Sequence, residues 1–207
     1  MITDWKDVTY KQFLKLKEVA EDNSMTEDIK LLEMVLIIYG DKPITELWRY
    51  TESINNLISQ PLPTGDTIAN TLEVNGHKYK VTKDLAQITT AQYIDYTNYA
   101  KNGAELIDLL SCFIIPEGHK YDDGYDMEEA KKDIADLSVV TVENYCFFFR
   151  KKWLTLLRTS LVSLMVDTMT LKGMTWKNKL RMVWAQATLL RNMDYLTSYS
   201  QSYKNLD

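Results

Sequence analysis

Apolar residues recur every three or four positions along most of the chain, which is the spacing of an amphipathic α-helix. The longest such stretch covers 141–171 without Pro or Gly, and it predicts one helix with Thr141 as its N-cap and Gly173 beyond its end. Apolar residues also lie off its main stripe, so we expect it to contact several neighbouring elements or a partner chain. Charged residues such as Arg150 and Asp167 interrupt the run, which argues against a membrane span.

Three shorter helices are predicted near the N-terminus. A capping box of Thr9 and Gln12 begins the first of them. The predicted spans are Thr9 to Asp22, Thr26 to Gly40, and residues 43–58. The segment 60–67, which is rich in Pro and turn-forming residues, then makes the clearest break in the chain.

A β-hairpin is predicted at 71–81, where apolar and polar residues alternate on both sides of Asn75-Gly76. An isolated hairpin is marginal in water, so it must pack on the helices or add to a neighbour's sheet. Further helices are expected over residues 89–101, 104–115, 126–137 and 175–196. The last should turn back on the long helix and form a helical hairpin with it.

One short pattern occurs twice. Residues 88–94 repeat the order found in 8–14: a β-branched residue, Thr, two residues, Gln, an aromatic and an aliphatic residue. An internal duplication and two independent helix starts both explain it.

These patterns predict a mainly α protein: a multi-helix bundle with one small β-hairpin and a long C-terminal helical hairpin. Only 7 Gly and 4 Pro in 207 residues leave little room for a turn-rich β architecture. We predict an N-terminal three-helix bundle over 1–59, the hairpin with its helices over 60–140, and the long and C-terminal helices over 141–207. A single domain throughout is the alternative.

The charge is distributed unevenly. Residues 145–207 carry 10 Lys and Arg against 3 Asp and Glu, a balance of +7, whereas 1–144 carry 14 against 26, a balance of −12. Such a chain can dock head-to-tail on its own copies, or direct its basic end towards nucleic acid. A helical core with solvated charged faces is the simpler interpretation.

Few residues in the sequence indicate chemistry. His77 and His119 do not lie at a zinc-ligand spacing, and the acidic loop 116–129 lacks the order of an EF-hand, so it is interpreted as solvated. No phosphate-binding loop or hydrolase motif is found. We therefore expect a non-enzymatic protein without catalytic residues, cofactor, metal or small-molecule substrate.

The two cysteines, Cys112 and Cys146, fall in apolar helical patterns and are interpreted as buried free thiols in a reducing compartment. The opening residues lack a positive segment followed by an apolar one, so a signal peptide is not expected. Both points favour synthesis and folding in the cytosol.

The basic part carries the candidate interaction residues, in which cationic and aromatic side chains alternate. These are Phe147, Phe148, Phe149, Arg150, Lys151, Lys152, Trp153, Arg158, Lys177, Lys179 and Arg181. Lys and Arg could contact phosphates while tryptophans stack on bases. The tryptophans fall on apolar stripes, however, so burial in a core or an interface is favoured, with non-specific contact to DNA as the remaining nucleic-acid role.

Three segments carry a resemblance to a known group: DLAQITTAQYIDY (84–96), FIIPEGHKYDDGYD (113–126) and YCFFFRKKWLTLL (145–157). Their order, together with the hairpin, resembles small proteins of tailed bacteriophages, nearest to the crAss-like gut phages. The resemblance covers roughly residues 1–160 and supplies no catalytic residue.

The resemblance implies a virion structural protein, made in the host bacterial cytoplasm. It would be a subunit of a ring or connector in the portal–tail region, with copies of itself and other portal or tail proteins as partners and no membrane. The alternative is a soluble tail assembly chaperone.

Overall fold

The computed structural model describes residues 2–40, 42–63, 65, 67–121, 123–170 and 173–183. The protein is mostly helical and contains a small three-stranded antiparallel sheet, which confirms the predicted mainly α class. It forms two compact units, unit 1 (Met1–Phe148) and unit 2 (Phe149–Asp207), and each is described by itself. The predicted division into three parts stays a prediction.

The helices and strands follow in chain order. The α-helices are α1 (Tyr10–Glu21), α2 (Glu27–Tyr39), α3 (Ile44–Leu47), α4 (Thr51–Ile58), α5 (Thr90–Lys101), α6 (Leu106–Ser111), α7 (Met127–Asp136) and α8 (Val139–Thr170). The strands are β1 (Thr71–Val74), β2 (His77–Val81) and β3 (Ile114–Pro116). Short 3-10 helices cover Trp5–Asp7, Trp48–Tyr50 and Leu85–Gln87. Residues 176–183 are also helical, and the rest of the predicted helix 175–196 lies outside the described residues.

The β1–β2 hairpin has the predicted turn. Val74 pairs with His77, and the turn residues Asn75 and Gly76 both have positive φ, 53° and 82°. A two-residue type I′ turn requires positive φ at both positions, which Asn and Gly tolerate better than other residues. The sequence pattern therefore predicted both the turn and its register.

The third strand was not predicted. The helix expected over 104–115 ends at Ser111, and β3 instead pairs with β2, Ile115 lying opposite Lys80. Ile114 and Ile115 are both buried, at 1% and 7% exposure. Because β-branched residues suit a buried strand, pairing with the hairpin prevailed over continuation of the helix.

The helix predicted over 43–58 is divided into α3, a 3-10 turn and α4. Tyr50, at the end of that turn, stacks on Tyr39 of α2 with ring centroids 4.2 Å apart. Tyr39 also lies 3.3 Å from Ser53, measured between the two hydroxyl oxygens. These contacts hold the junction against α2. Trp48 is 66% exposed and has the Arg49 guanidinium over its ring.

The long helix α8 begins at Val139, two residues before the predicted N-cap Thr141. Its start is fixed by the start of α1: the Val139 amide donates to the Val8 carbonyl at 2.8 Å. Thr9 and Ser138 form an isolated antiparallel bridge between the two segments. The Ser138 hydroxyl accepts from the Thr141 amide at 3.2 Å, so Ser138 takes the capping role assigned to Thr141.

The two capping boxes are both present, and their likeness extends further upstream than the sequence pattern. Asp4 and Asp84 each cap a 3-10 helix by accepting from the amide two residues later, at 3.0 Å in both cases. Each 3-10 helix leads directly into a boxed helix of 12 residues, α1 or α5.

The glutamines of the two boxes also act alike. Gln12 donates its side-chain amide to the Ile37 carbonyl at 3.5 Å, and Gln92 donates to the Cys112 carbonyl at 2.7 Å. Each glutamine thus closes its own capping box and ties its helix to the end of the next helical segment. The internal duplication stays a prediction, and this longer match favours it.

The core of unit 1 gathers side chains from its helices and from β3. Fully buried members are Val8, Val35, Leu47, Ile54, Leu57, Cys112, Phe113, Ile114, Ile134, Val139 and Val142. Both cysteines are free thiols, with Cys112 buried and Cys146 half-buried. Burial raises the pKa of the Cys112 thiol to about 12, so it packs as a neutral apolar group.

Candidate functional site

A buried carboxylate joins the hairpin to helix α7 in unit 1. Asp133 is 4% exposed and accepts hydrogen bonds from three hairpin side chains. Its Oδ1 accepts from Asn75 Nδ2 at 2.8 Å, and its Oδ2 accepts from Tyr79 OH at 2.5 Å and lies 2.7 Å from His77 Nδ1. These four side chains are called the Asp133 cluster. A buried charge needs such partners, because an unpaired one is expensive to desolvate.

Local sequence signals place each member of the cluster. Asp126 caps α7 by accepting from the amides of Glu128 and Glu129, which sets where the helix begins and brings Asp133 to its inner face. The type I′ turn projects Asn75 from the hairpin tip. His77 and Tyr79 are two residues apart on β2, so their side chains point to the same face of the sheet.

The charges within the cluster favour one protonation pattern. Burial acts to raise the pKa of Asp133, but hydrogen bonds from Tyr79, Asn75 and His77 outweigh it and hold that pKa below its usual range. Hydrogen bonding to Asp133 is also the main cause that raises the pKa of His77 above its usual value. Burial and the same carboxylate raise the pKa of Tyr79, so its hydroxyl remains a donor.

The hydrogen atoms can be assigned from this pattern. An ionised carboxylate only accepts hydrogen bonds, so His77 donates through Nδ1 in both its neutral and its protonated form. In the neutral ring Nε2 is then an acceptor, and in the protonated ring it is a second donor. The side chain is 49% exposed, which lets Nε2 exchange protons with solvent.

An open cleft of about 630 Å³ lies beside the cluster, and both histidines line it. Its walls come from the hairpin, from the loop after β3 and from the start of α7. The lining residues are Gly76, His77, Lys78, Tyr79, Pro116, Glu117, Gly118, His119, Tyr125, Asp126 and Glu129. The rings of His119 and Tyr125 meet edge to face at 5.9 Å between centroids.

The chemistry that this cleft supports is proton binding and polar recognition. Its described lining holds acids, bases and phenols, which can bind or release protons and form polar contacts. Across the described ranges, no group of three or more His, Cys, Asp or Glu side chains is arranged to hold a metal ion. Asp122, which the acidic loop also contains, lies outside those ranges.

The sequence-predicted interaction residues lie on two helical segments. Phe147, Phe148, Phe149, Arg150, Lys151, Lys152, Trp153 and Arg158 are on α8, and Lys177, Lys179 and Arg181 are in the helical residues 176–183. The division between the units follows Phe148, so this set belongs to both.

Exposure differs within that set. Phe147 is 38% exposed in unit 1, whereas Phe149 is 5% exposed in unit 2. The basic run 150–152 is exposed. Within unit 2, Lys179 donates its ammonium to the Met169 carbonyl at 2.9 Å. The cations are therefore at the surface, while the aromatic residues range from exposed to buried.

Unit 2 exposes several large apolar side chains on its helices. They are Leu156, Val162, Leu164, Val166 and Met169 on α8, and Trp176, Leu180 and Met182 in the helical residues 176–183. Val166 is 58% exposed and Trp176 is 64% exposed. Val162 and Val166 are one turn apart on one side of α8, and Leu164 lies on the opposite side. Apolar surface thus appears on more than one side of this helix.

The sequence analysis did not predict that the four side chains of the Asp133 cluster lie together. The sequence pattern placed Asn75 in the turn and marked His77 as one of two histidines, but Asp133 was assigned only to a short helix. His77 and Asp133 are 56 positions apart. A polar residue on the inner face of the helix at 126–137 was the available signal, since a buried carboxylate requires donors from a neighbouring element.

Comparison of the chain with protein-family models, with curated proteins and with solved structures finds no match in any of the three. Among the described residues, no helix combines the length and the apolar character that a membrane crossing requires.

Proposed function

We propose that this protein is a non-enzymatic bacteriophage virion protein, a subunit of a ring or connector in the portal–tail region. It assembles with copies of itself or docks on a symmetric assembly of portal or tail proteins. The phage assignment rests on the three segments quoted above, and the assembly role rests on the surface of unit 2.

The observation that carries the assembly role is the exposed apolar surface of the unit 2 helices. Eight large apolar side chains of the described unit 2 residues are exposed, and exposed apolar surface can mark a place where another macromolecule binds. Unit 1 also exposes Ile29, Leu32, Trp48, Ile58, Tyr93 and Ile94, but it has a buried core of its own. Exposure on several sides of one helix fits a subunit with more than one neighbour, as in a closed ring.

The charge distribution supports a head-to-tail arrangement. The acidic residues 1–144 of one copy and the basic residues 145–207 of the next would attract each other. Head-to-tail contacts generate rings when the rotation between subunits closes. Apolar anchors from unit 2 would supply most of the affinity, and the charges would set orientation and rate. The basic surface could also face packaged DNA without base contacts.

Two finer features of the fold belong to this proposal. The helical residues 176–183 would continue to about residue 196 and pack against α8 as a helical hairpin. The helices of residues 1–59 would act as one bundle that presents the acidic face. Both arrangements would give each subunit two distinct surfaces for its neighbours.

Charge reversal in the basic run tests the proposal. The variant Arg150→Glu, Lys151→Glu, Lys152→Glu should lose assembly while its circular dichroism spectrum keeps the wild-type helical signal. The physical reason is that three attractive charges become repulsive towards the acidic neighbour. Analytical ultracentrifugation of the full-length protein measures the change.

A matched control reverses three exposed lysines of the acidic part: Lys11→Glu, Lys15→Glu and Lys132→Glu. This variant carries the same change in net charge but leaves the basic partner surface intact, so it should still assemble. Unaltered assembly of the 150–152 variant, or equal loss in the control, would contradict charge-directed docking.

The second candidate is a soluble tail assembly chaperone. The same exposed apolar helices could hold an aggregation-prone tail protein during assembly. This function predicts a monomer or dimer that is missing from finished particles. Mass spectrometry of purified virions separates the two functions, because stoichiometric presence removes the chaperone and complete absence removes the structural subunit.

A further inference from the structure

We propose that the tip of the β1–β2 hairpin is a pH-sensitive latch, in which protonated His77 holds the tip on Asp133 of α7 and deprotonation loosens it. This inference concerns unit 1 alone and does not depend on the assembly role.

The geometry concentrates the attachment of the hairpin tip at one carboxylate. Asn75, His77 and Tyr79 all bond to Asp133, within 2.8 Å in each case. Asn75 also donates to Asp136 at 3.1 Å, one helical turn further along α7. Tyr79 is buried, whereas His77 lies at the edge of the cleft, in contact with solvent. His77 is therefore the member of the cluster that can change charge while the others stay fixed.

The groups that face His77 are mostly acidic. Helix α7 contributes Asp133 and Glu129, and the loop after β3 contributes Glu117, His119 and Asp126 to the same cleft. Lys78, the next residue on β2, is the cation that also lines it. Protonated His77 consequently meets a net negative surrounding.

The direction of the pH dependence follows from the raised pKa of His77. A histidine whose folded pKa exceeds its unfolded value of about 6.5 adds stability that is complete below that value. The contribution is lost as the pH rises through the folded pKa. The lowered pKa of Asp133 affects stability only in acid, since the stability that Asp133 contributes is lost only as the pH falls below about 4.

The latch is thus strongest in mildly acidic solution and weakens in mildly alkaline solution. Because neutral His77 still donates through Nδ1, deprotonation removes the ionic part of the contact and leaves a hydrogen bond. His77 and Tyr79 both line the cleft, so a loosened tip changes the shape of the cleft and the charge that it presents.

NMR titration of the intact chain tests the latch. The His77 imidazole signals are followed from pH 5 to pH 9 in the wild type and in Asp133→Asn, with His119→Gln used to assign the two histidines. The midpoint of the His77 titration should be lower in Asp133→Asn than in the wild type, because the negative partner that raises the pKa of His77 is removed. An unchanged midpoint would overturn the proposal.

Hydrogen exchange supplies a second readout that does not rely on the Asp133 variant. Protection factors of the amides in 71–81 should decrease from pH 6 to pH 8.5 in the wild type. His77→Gln keeps the Asn75 and Tyr79 bonds and should show a flat profile over the same range. Equal pH dependence in both proteins would show that His77 does not control the tip.

Discussion

Removing the carboxylate of Asp133 gives the most informative stability measurement on unit 1. In Asp133→Ala, the side chains of Asn75 and His77 can bond to water because both are exposed, but Tyr79 is only 2% exposed. A buried hydroxyl without a partner costs about 1–3 kcal/mol, and hydrogen bonds to a charged group contribute about 1.5–3 kcal/mol. We expect Asp133→Ala to lower the free energy of unfolding by about 3 kcal/mol.

Tyr79→Phe separates the two contributions. Alone it should cost about 1–2 kcal/mol, because Asp133 keeps its other two donors. The double variant Asp133→Ala, Tyr79→Phe has no unpaired hydroxyl at this position. Its loss in free energy of unfolding should therefore be about 2 kcal/mol smaller than the sum of the losses of the two single variants. Urea unfolding followed by NMR signals of the hairpin reports on unit 1 directly. Additive losses, within about 0.5 kcal/mol, would refute a direct coupling between these side chains.

Two further predictions concern local structure. Gln92→Ala should lower the free energy of unfolding by about 2 kcal/mol and Gln12→Ala by about 1 kcal/mol. The difference is expected because the Gln92 side chain is buried and its hydrogen bond is shorter than that of Gln12. Thermal unfolding of the two variants measures both losses, and equal losses would contradict the prediction. Asn75→Ala should lower the free energy of unfolding by about 2 kcal/mol, because alanine disfavours positive φ and cannot bond to Asp133 or Asp136. Asn75→Gly removes only these two hydrogen bonds, so it should lower the free energy of unfolding by less. A lower urea midpoint for Asn75→Gly than for Asn75→Ala would refute the contribution of positive φ.

Features that depend on neighbouring residues were predictable from the sequence. The capping boxes at Thr9 and Thr89 and the Asn75-Gly76 turn involve residues at most three positions apart. Their chemistry selects one local backbone conformation, and the tertiary structure does not alter it.

Features that depend on distant pairing were not predictable in the same way. Helix α8 begins earlier than predicted because residues 8–10 form backbone hydrogen bonds with residues 137–139. Strand β3 forms because Ile114 and Ile115 lie opposite β2 of the hairpin and pair with it. A short apolar run is compatible with a helix or a strand, so only the partner decides between them. The Asp133 cluster belongs to this class as well, since its donors and its acceptor come from separate parts of the chain.

The most direct test of the assembly role is the absolute mass of the purified full-length protein, measured by light scattering after gel filtration at low and at high salt. Charge-complementary assembly predicts a discrete oligomer of many copies at low salt that dissociates as salt screens the attraction. A monomer or dimer whose mass does not change with salt would contradict head-to-tail self-assembly.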